Sequence, residues 1–137
     1  MEIAEQKIKP FLKWPGGKFK IIDKIKSKLT PGKKLIEPFV GSGAVFLNTD
    51  YDNYVLNDVN RDLINLYKHV KSKKVDFIGY CKTFFTPKYN SSKNYYQFRK
   101  NFNSLDFNSE RAALFLYLNR HGFNGLCRFN NSGTFNV

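Results

Sequence analysis

One bend constrains the fold more than any other feature. Glu37-Pro38-Phe39-Val40-Gly41-Ser42-Gly43 lies between two short apolar runs, Leu35-Ile36 and Tyr54-Val55-Leu56. Runs of this length and composition suit strands, and the stretch from Gly43 through Leu47 reads as a helix. The second run stops at Asn57-Asp58. Strand, glycine loop, helix, strand and acidic residue, in that order, open an α/β sheet of the kind that takes a nucleotide. Glycines in such a loop let the backbone approach a ligand where a Cβ would collide, and the helix that follows offers free N–H groups. Asp58, fifteen residues after Gly43, is placed to accept hydrogen bonds from the two hydroxyls of a ribose. A tight structural turn followed by a helix N-cap explains the same residues, so the motif alone leaves both readings open. Two phosphate motifs are excluded. The third glycine of a dinucleotide fingerprint is replaced by Phe46, and a P-loop ending at Gly17-Lys18 would need glycine at Leu12 and a hydroxyl at Phe19.

Upstream of the bend, residues 1–9 read as a loose tail and Pro10–Gly17 as a loop. Ile21, Ile22, Ile25 and Leu29 then predict a helix over Lys18–Leu29 that ends at Thr30-Pro31-Gly32. Beyond Asn60 the strand pattern stops. Helices are expected over Asp62–Val70, Val75–Phe85, Asn94–Phe102 and Ser109–His121, followed by a loop or hairpin of Gly, Asn and aromatic residues over 122–137. A boundary near residue 60 therefore separates residues 1–60, an α/β beginning, from residues 61–137, a helical region.

The 14 Phe and 8 Tyr call for either a packed interior or a stacking platform. With 23 basic against 11 acidic side chains the net charge is +12, which puts nucleic acid first among partners. The excess sits at the two ends. Residues 1–34 hold ten basic and three acidic residues, residues 88–137 hold seven and two, and the middle is balanced at six and six. A solvated lysine surface with no partner is the plainer explanation of such a charge. The longest apolar run, Ala112–Leu118, is too short to span a bilayer, and the acidic start Met1-Glu2-Ile3-Ala4-Glu5 has no signal core, so a cytoplasmic protein is expected. Cys81 and Cys127 stand far apart, outside any Cys/His cluster, which predicts reduced, packed thiols and no metal site.

Four words in fixed order sharpen this reading: Phe11-Leu12-Lys13-Trp14-Pro15-Gly16-Gly17-Lys18, the Glu37–Gly43 bend, Asn57-Asp58, and Phe115–Arg128 with Asn119-Arg120-His121-Gly122-Phe123-Asn124-Gly125 at its centre. Together they resemble the Dam-type (D12 class) adenine-N6 DNA methyltransferases, from about residue 10 to the last residue. The resemblance implies the start of a Rossmann-like sheet of the class I S-adenosylmethionine (SAM) methyltransferases, left incomplete, followed by a helical DNA-recognition region. It implies SAM as cofactor and double-stranded DNA as partner, with methyl transfer to adenine N6, at GATC in the family. Trp14 would pack on the cofactor, Lys18 would lie near its carboxylate, Phe39 with the Gly41–Gly43 loop would form the pocket, and Asp58 would hold the ribose. On the DNA side it implies contacts from Lys13, Arg120, Phe123, Asn124 and Arg128, with Phe123 and Asn124 entering the duplex and Arg128 reading a base.

The family's Asp-Pro-Pro-Tyr, which receives the flipped adenine, does not occur, so no catalytic residue is assigned. Glu37-Pro38-Phe39 resembles it only superficially. The expectation is therefore a truncated homologue that retains SAM and DNA determinants, cannot complete its sheet or carry out transfer alone, and leaves a sheet edge exposed. A second chain would supply the catalytic half. Two readings compete with it: a non-catalytic DNA-binding module, and an unrelated SAM- or nucleotide-binding protein acting on RNA or small molecules.

Overall fold

The structure, a computed structural model, describes residues 6–137. Its contacts divide the chain into two compact units that part between Val59 and Asn60.

The first unit is built on two strands. β1 (Lys34–Glu37) and β2 (Asn53–Leu56) pair in parallel, with Ile36 opposite Val55 and Glu37 opposite Leu56. The ladder runs on past the strands, because Asn57 N–H donates to Glu37 O and Val40 N–H donates to Asn57 O, both at 2.8 Å. The glycine bend is thus stitched to the end of β2. One face of the pair is partly covered through Leu35 and Tyr54, while the other exposes Ile36 (63 %) and Val55 (46 %). Leu12, Ile22, Val40 and Ala44 form the unit's buried apolar core.

Both helices expected in this unit are reduced. Over Lys18–Leu29 the chain forms a 3-10 turn at Phe19–Ile21 and then the short α1 (Ile22–Lys26). Ile21 has non-helical φ/ψ of −113°/14° and faces solvent, so the buried stripe starts at Ile22. Ser27 Oγ–H donates to Lys24 O at 2.9 Å and competes for a carbonyl of the last turn. After Gly43 the expected helix shrinks to a 3-10 turn, Phe46–Asn48. Asn48 Nδ2–H donates to Ala44 O at 2.8 Å and Thr49 Oγ1–H to Val45 O at 2.9 Å, taking the carbonyls a continuing helix would use. Thr49 itself turns extended, and Tyr54 Oη–H donates to its carbonyl at 2.6 Å.

The second unit is helical. α2 spans Arg61–Lys82, α3 Ser92–Ser104 and α4 Ser109–His121. Each begins at a side-chain cap: Asn60 accepts from Leu63 N–H at 3.0 Å, Ser91 from Asn94 N–H at 3.3 Å and Asn108 from Arg111 N–H at 2.9 Å. α2 is broken at Lys74, whose φ of 40° and ψ of −117° leave the helical region, so the expectation of one helix before and one after residues 71–74 agrees with the backbone. α4 is the pillar: Ala112, Ala113, Leu114, Phe115, Tyr117, Leu118 and Asn119 are fully buried, as befits a helix apolar nearly all round. Most of the aromatic rings serve this interior. Phe102 packs edge-on to Phe135 at 5.6 Å, and Tyr117 meets Phe98 at 4.9 Å.

A buried ion pair fastens the helices. Arg111 Nε donates to Asp62 Oδ1 at 2.6 Å and Nη2 to Oδ2 at 3.1 Å, while Nη1 donates to Phe102 O at 2.8 Å and Leu105 O at 2.7 Å. The guanidinium plane lies 4.2 Å from the Phe102 ring centroid. This pair binds α2 to α4 and closes the end of α3, with the arginine's donors spread over a carboxylate and two carbonyls.

After α4 the chain turns at Gly122, where a Cβ would stand 2.6 Å from Leu118 O and 3.0 Å from Tyr95 Oη, so only glycine fits. A 3-10 turn at Phe123–Gly125 leads to a hairpin closed by the antiparallel bridge Phe129–Phe135, as expected for residues 122–137. Cys81 is a buried free thiol, pushed by burial up to about 11, and Cys127 is a half-buried free thiol also raised by burial. No helix among the described residues is long and apolar enough to cross a membrane.

Asp62→Ala strands the Arg111 guanidinium without its counter-charge. Removing one partner of a buried pair costs about 3–5 kcal/mol, so the urea midpoint of the helical unit is expected to fall by a large fraction, and an unchanged midpoint would refute the pair's role.

Candidate cofactor pocket and nucleic-acid interface

Within the first unit, the Trp14–Lys18 segment and the glycine bend face each other across a cavity of about 180 Å³. Trp14, Lys18, Phe39, Gly41 and Asp58 all line it, so five of the six cofactor residues expected from the sequence come together. Gly43 does not line it. Its N–H donates to Val40 O at 2.9 Å and its φ is 77°, which makes it the residue that bends the loop from behind.

Two contacts fix the loop. Gly41 has φ of 50°, and a Cβ there would lie 3.0 Å from Cδ1 and 3.1 Å from Nε1 of Trp14. The indole therefore rests directly on the backbone of the bend. From the other side, Gly41 N–H donates to Asp58 Oδ2 at 3.0 Å. An ionised carboxylate has about four acceptor positions, so Asp58 can brace the loop and still receive a ligand hydroxyl. Lys18 Nζ donates to Gly16 O, placing a cation at the rim. Phe39 is 85 % exposed, an aromatic face turned to solvent beside the cavity.

The donors and surfaces present, an indole, a carboxylate, an ammonium and a glycine-lined backbone, match the adenine or sulfonium, the diol and the carboxylate of SAM. The enclosed volume is smaller than the 300–1,000 Å³ or so that buries a drug-sized ligand.

Glu37 lies behind the bend. Its Oε1 is buried without a hydrogen-bond partner among the described residues, and burial pushes its carboxyl above the usual range, against the lowering effect of the Phe46 N–H.

In the second unit, Arg120, Phe123, Asn124 and Arg128 are exposed along the segment from the last turn of α4 into the hairpin. Phe123 is 74 % exposed, and Asn124 holds a left-handed φ of 51°. Arg128 Nε donates to Asn136 Oδ1 at 2.9 Å and Nη2 to Asn136 O at 3.2 Å, which holds the guanidinium in place on the hairpin. Lys13 is exposed beside Trp14 in the first unit.

Comparison with known proteins shows the family of the chain. The family model for D12 class N6 adenine-specific DNA methyltransferases matches residues 14–137. The chain belongs to this family. It is 53 % identical over 132 residues to a DNA adenine methylase of Serratia marcescens, which covers 96 % of this chain and 49 % of that protein. Identity is 51 % to the DNA adenine methylase of Escherichia coli strain K12, with 96 % and 48 % coverage, and 47 % to that of Vibrio cholerae serotype O1, with the same coverage. The chain spans about half the length of the curated relatives it matches.

In this D12 class chain, several site residues escaped sequence reasoning. Val40, buried and bonded to Asn57 O, forms the cavity's back wall. Asn136, which holds Arg128, gave no signal because isolated asparagines are common in a chain so rich in them.

Two outcomes follow. Gly41→Ala should displace the indole and, at a left-handed φ, cost about 1–2 kcal/mol. Trp14 is the single tryptophan, so its emission maximum reports the displacement directly, and an unshifted spectrum would contradict the contact. For Glu37, a raised value means stability is fully present below the ordinary 4.5 and lost as pH rises through the folded value. Glu37→Gln should therefore match the parent in urea at about pH 4 and exceed it at about pH 7; equal midpoints at both would rule out the burial effect.

Proposed function

We propose that this chain carries the cofactor-binding and DNA-reading parts of an enzyme that methylates adenine N6 in duplex DNA with SAM, at GATC sites. Residues 1–60 form the SAM-binding part, the beginning of a Rossmann-like sheet, and residues 61–137 form the DNA-recognition region. The observation that carries the reading is the Trp14–Gly41–Asp58 arrangement, in which an indole, a substituent-free backbone and a carboxylate share one small cavity.

SAM supplies the methyl group as a sulfonium substituent when bound. Trp14 provides an electron-rich face to the cationic or adenine end, Asp58 accepts from the ribose, and Lys18 pairs with the carboxylate. Phe39, exposed beside them, gains cover when a ligand fills the rim. On the DNA side, an aromatic at the tip of a preformed turn suits an enzyme that must open a base stack, and an arginine fork suits guanine. The net charge of +12 favours the approach of a polyanion and makes binding salt-dependent.

A non-catalytic DNA-binding module is the second reading, favoured by the net charge of +12 and the exposed Phe123 and Arg128, which engage a polyanion without any cofactor. The two part at the cofactor. Titrating SAM against the emission of Trp14 should give saturable quenching, weakened roughly tenfold to a hundredfold in Asp58→Ala, as loss of a hydrogen bond to a charged group implies. A chain that ignores SAM but holds DNA is the module. Transfer of labelled methyl from SAM to a GATC duplex by the purified chain, abolished in Asp58→Ala, would show that these residues include a site that holds the adenine N6 amine for transfer.

A further inference from the structure

Two asparagine side chains in the helical unit are spent on the backbone of the segment that carries Phe123, Asn124 and Arg128. Asn119 is fully buried in α4, where its neighbours Phe115, Tyr117 and Leu118 are apolar and equally buried. Its Nδ2–H donates to Gly125 O at 3.1 Å, within the turn that presents Phe123. Asn103, near the end of α3, holds the other end. Its Nδ2–H donates to Phe135 O at 3.0 Å, and its Oδ1 accepts from Phe135 N–H at 2.8 Å. One amide thus pairs with Phe135 as a neighbouring strand would, while the Phe135 ring is sunk against Phe102 and Phe129.

A core needs neither amide for cohesion, since an apolar side chain in either place would bury as much surface. What the amides add is direction. A polar group left unmatched away from water is costly, fully so for buried Asn119 and in part for half-buried Asn103, so each disfavours alternative placements of the loop it bonds. The turn between them needs such control, because it contains left-handed Asn124 at φ 51° and Gly125 at φ 68°. An untethered loop would spend much of its time in other conformations.

We infer that Asn103 and Asn119 are positioning residues for DNA recognition: they hold Phe123 to Phe135 in its reading shape before DNA arrives, so that binding does not have to order the loop. This rests on the DNA-reading role proposed above for that segment. Ordering a loop at the moment of binding weakens the complex, and it weakens the site-specific complex most, because nonspecific binding runs on phosphate charge alone.

The test is the ratio of affinities of the full chain for a short duplex with one GATC and for the same duplex with that site scrambled, measured at one salt concentration. Partial unfolding lowers both affinities by the same fraction and leaves the ratio unchanged, whereas mispositioning erodes the ratio alone. Asn119→Ala and Asn103→Ala are expected to cut it about fivefold or more, with the scrambled-site affinity retained. Asn103→Asp keeps the acceptor for Phe135 N–H and loses the donor, and should fall between. Hydrogen exchange should quicken across 123–136 and stay unchanged in α4. An undiminished ratio in the variants, with Phe123→Ala losing it, overturns the inference while leaving the DNA-reading role intact. No discrimination by the parent chain, or full discrimination by Phe123→Ala, removes that role and the inference with it. Loss of helical circular dichroism in all three asparagine variants would assign the amides to the core and overturn the inference as well.

Discussion

Arg111 is the point on which the helical unit turns. Its side chain ends in a place where helices α2, α3 and α4 would otherwise leave a carboxylate and two carbonyls facing each other, and it answers all three. A charge is buried at a high desolvation cost and recovered only because the guanidinium's fork is matched donor by donor. The cost makes the arrangement exacting, because Asp62, Phe102 O and Leu105 O must all reach one cation. Phe102, covering that cation, is also the ring against which Phe135 of the hairpin packs. The placement of the segment from Phe123 to Phe135 is therefore inherited, ring by ring, from an ion pair at the helix core.

In the first unit the comparable constraint is steric. The bend after β1 is sewn to the end of β2 by two main-chain bonds at Asn57 and then pressed upon by an indole at a spot where no side chain can stand. The same glycine that permits the indole's approach turns its N–H to Asp58. Structure and recognition use one residue here, which is why a turn that is merely structural and a turn built for a ligand look alike in sequence.

What the sequence disclosed divides along that line. Both strands, the three long helices, the break near Lys74 and the final hairpin were legible, because each is set by local signals: short apolar runs, a 3.6-residue apolar period, and Gly and Asn at the turns. The two helices of the first unit were overestimated, since Asn48, Thr49 and Ser27 compete for backbone carbonyls in ways a hydrophobic period does not register. The residues that line the cavity were legible from motif words, apart from Gly43, whose place behind the bend depends on a φ angle. The Arg111–Asp62 pair was hidden, because partners separated by 49 positions leave no trace in a single sequence.

The face of the strand pair that shows Ile36 and Val55 has a colloidal consequence. A parallel pair with apolar residues outward is a surface on which copies of the chain would associate. Opposing this is the large positive charge, which keeps copies apart only while its field reaches beyond the molecular surface. Salt near 0.15 M already shortens that reach to about 8 Å. Dilute buffer therefore keeps the protein dispersed, whereas added salt exposes the adhesiveness of the sheet. A bound polyanion, by cancelling the same charge, acts in the same direction.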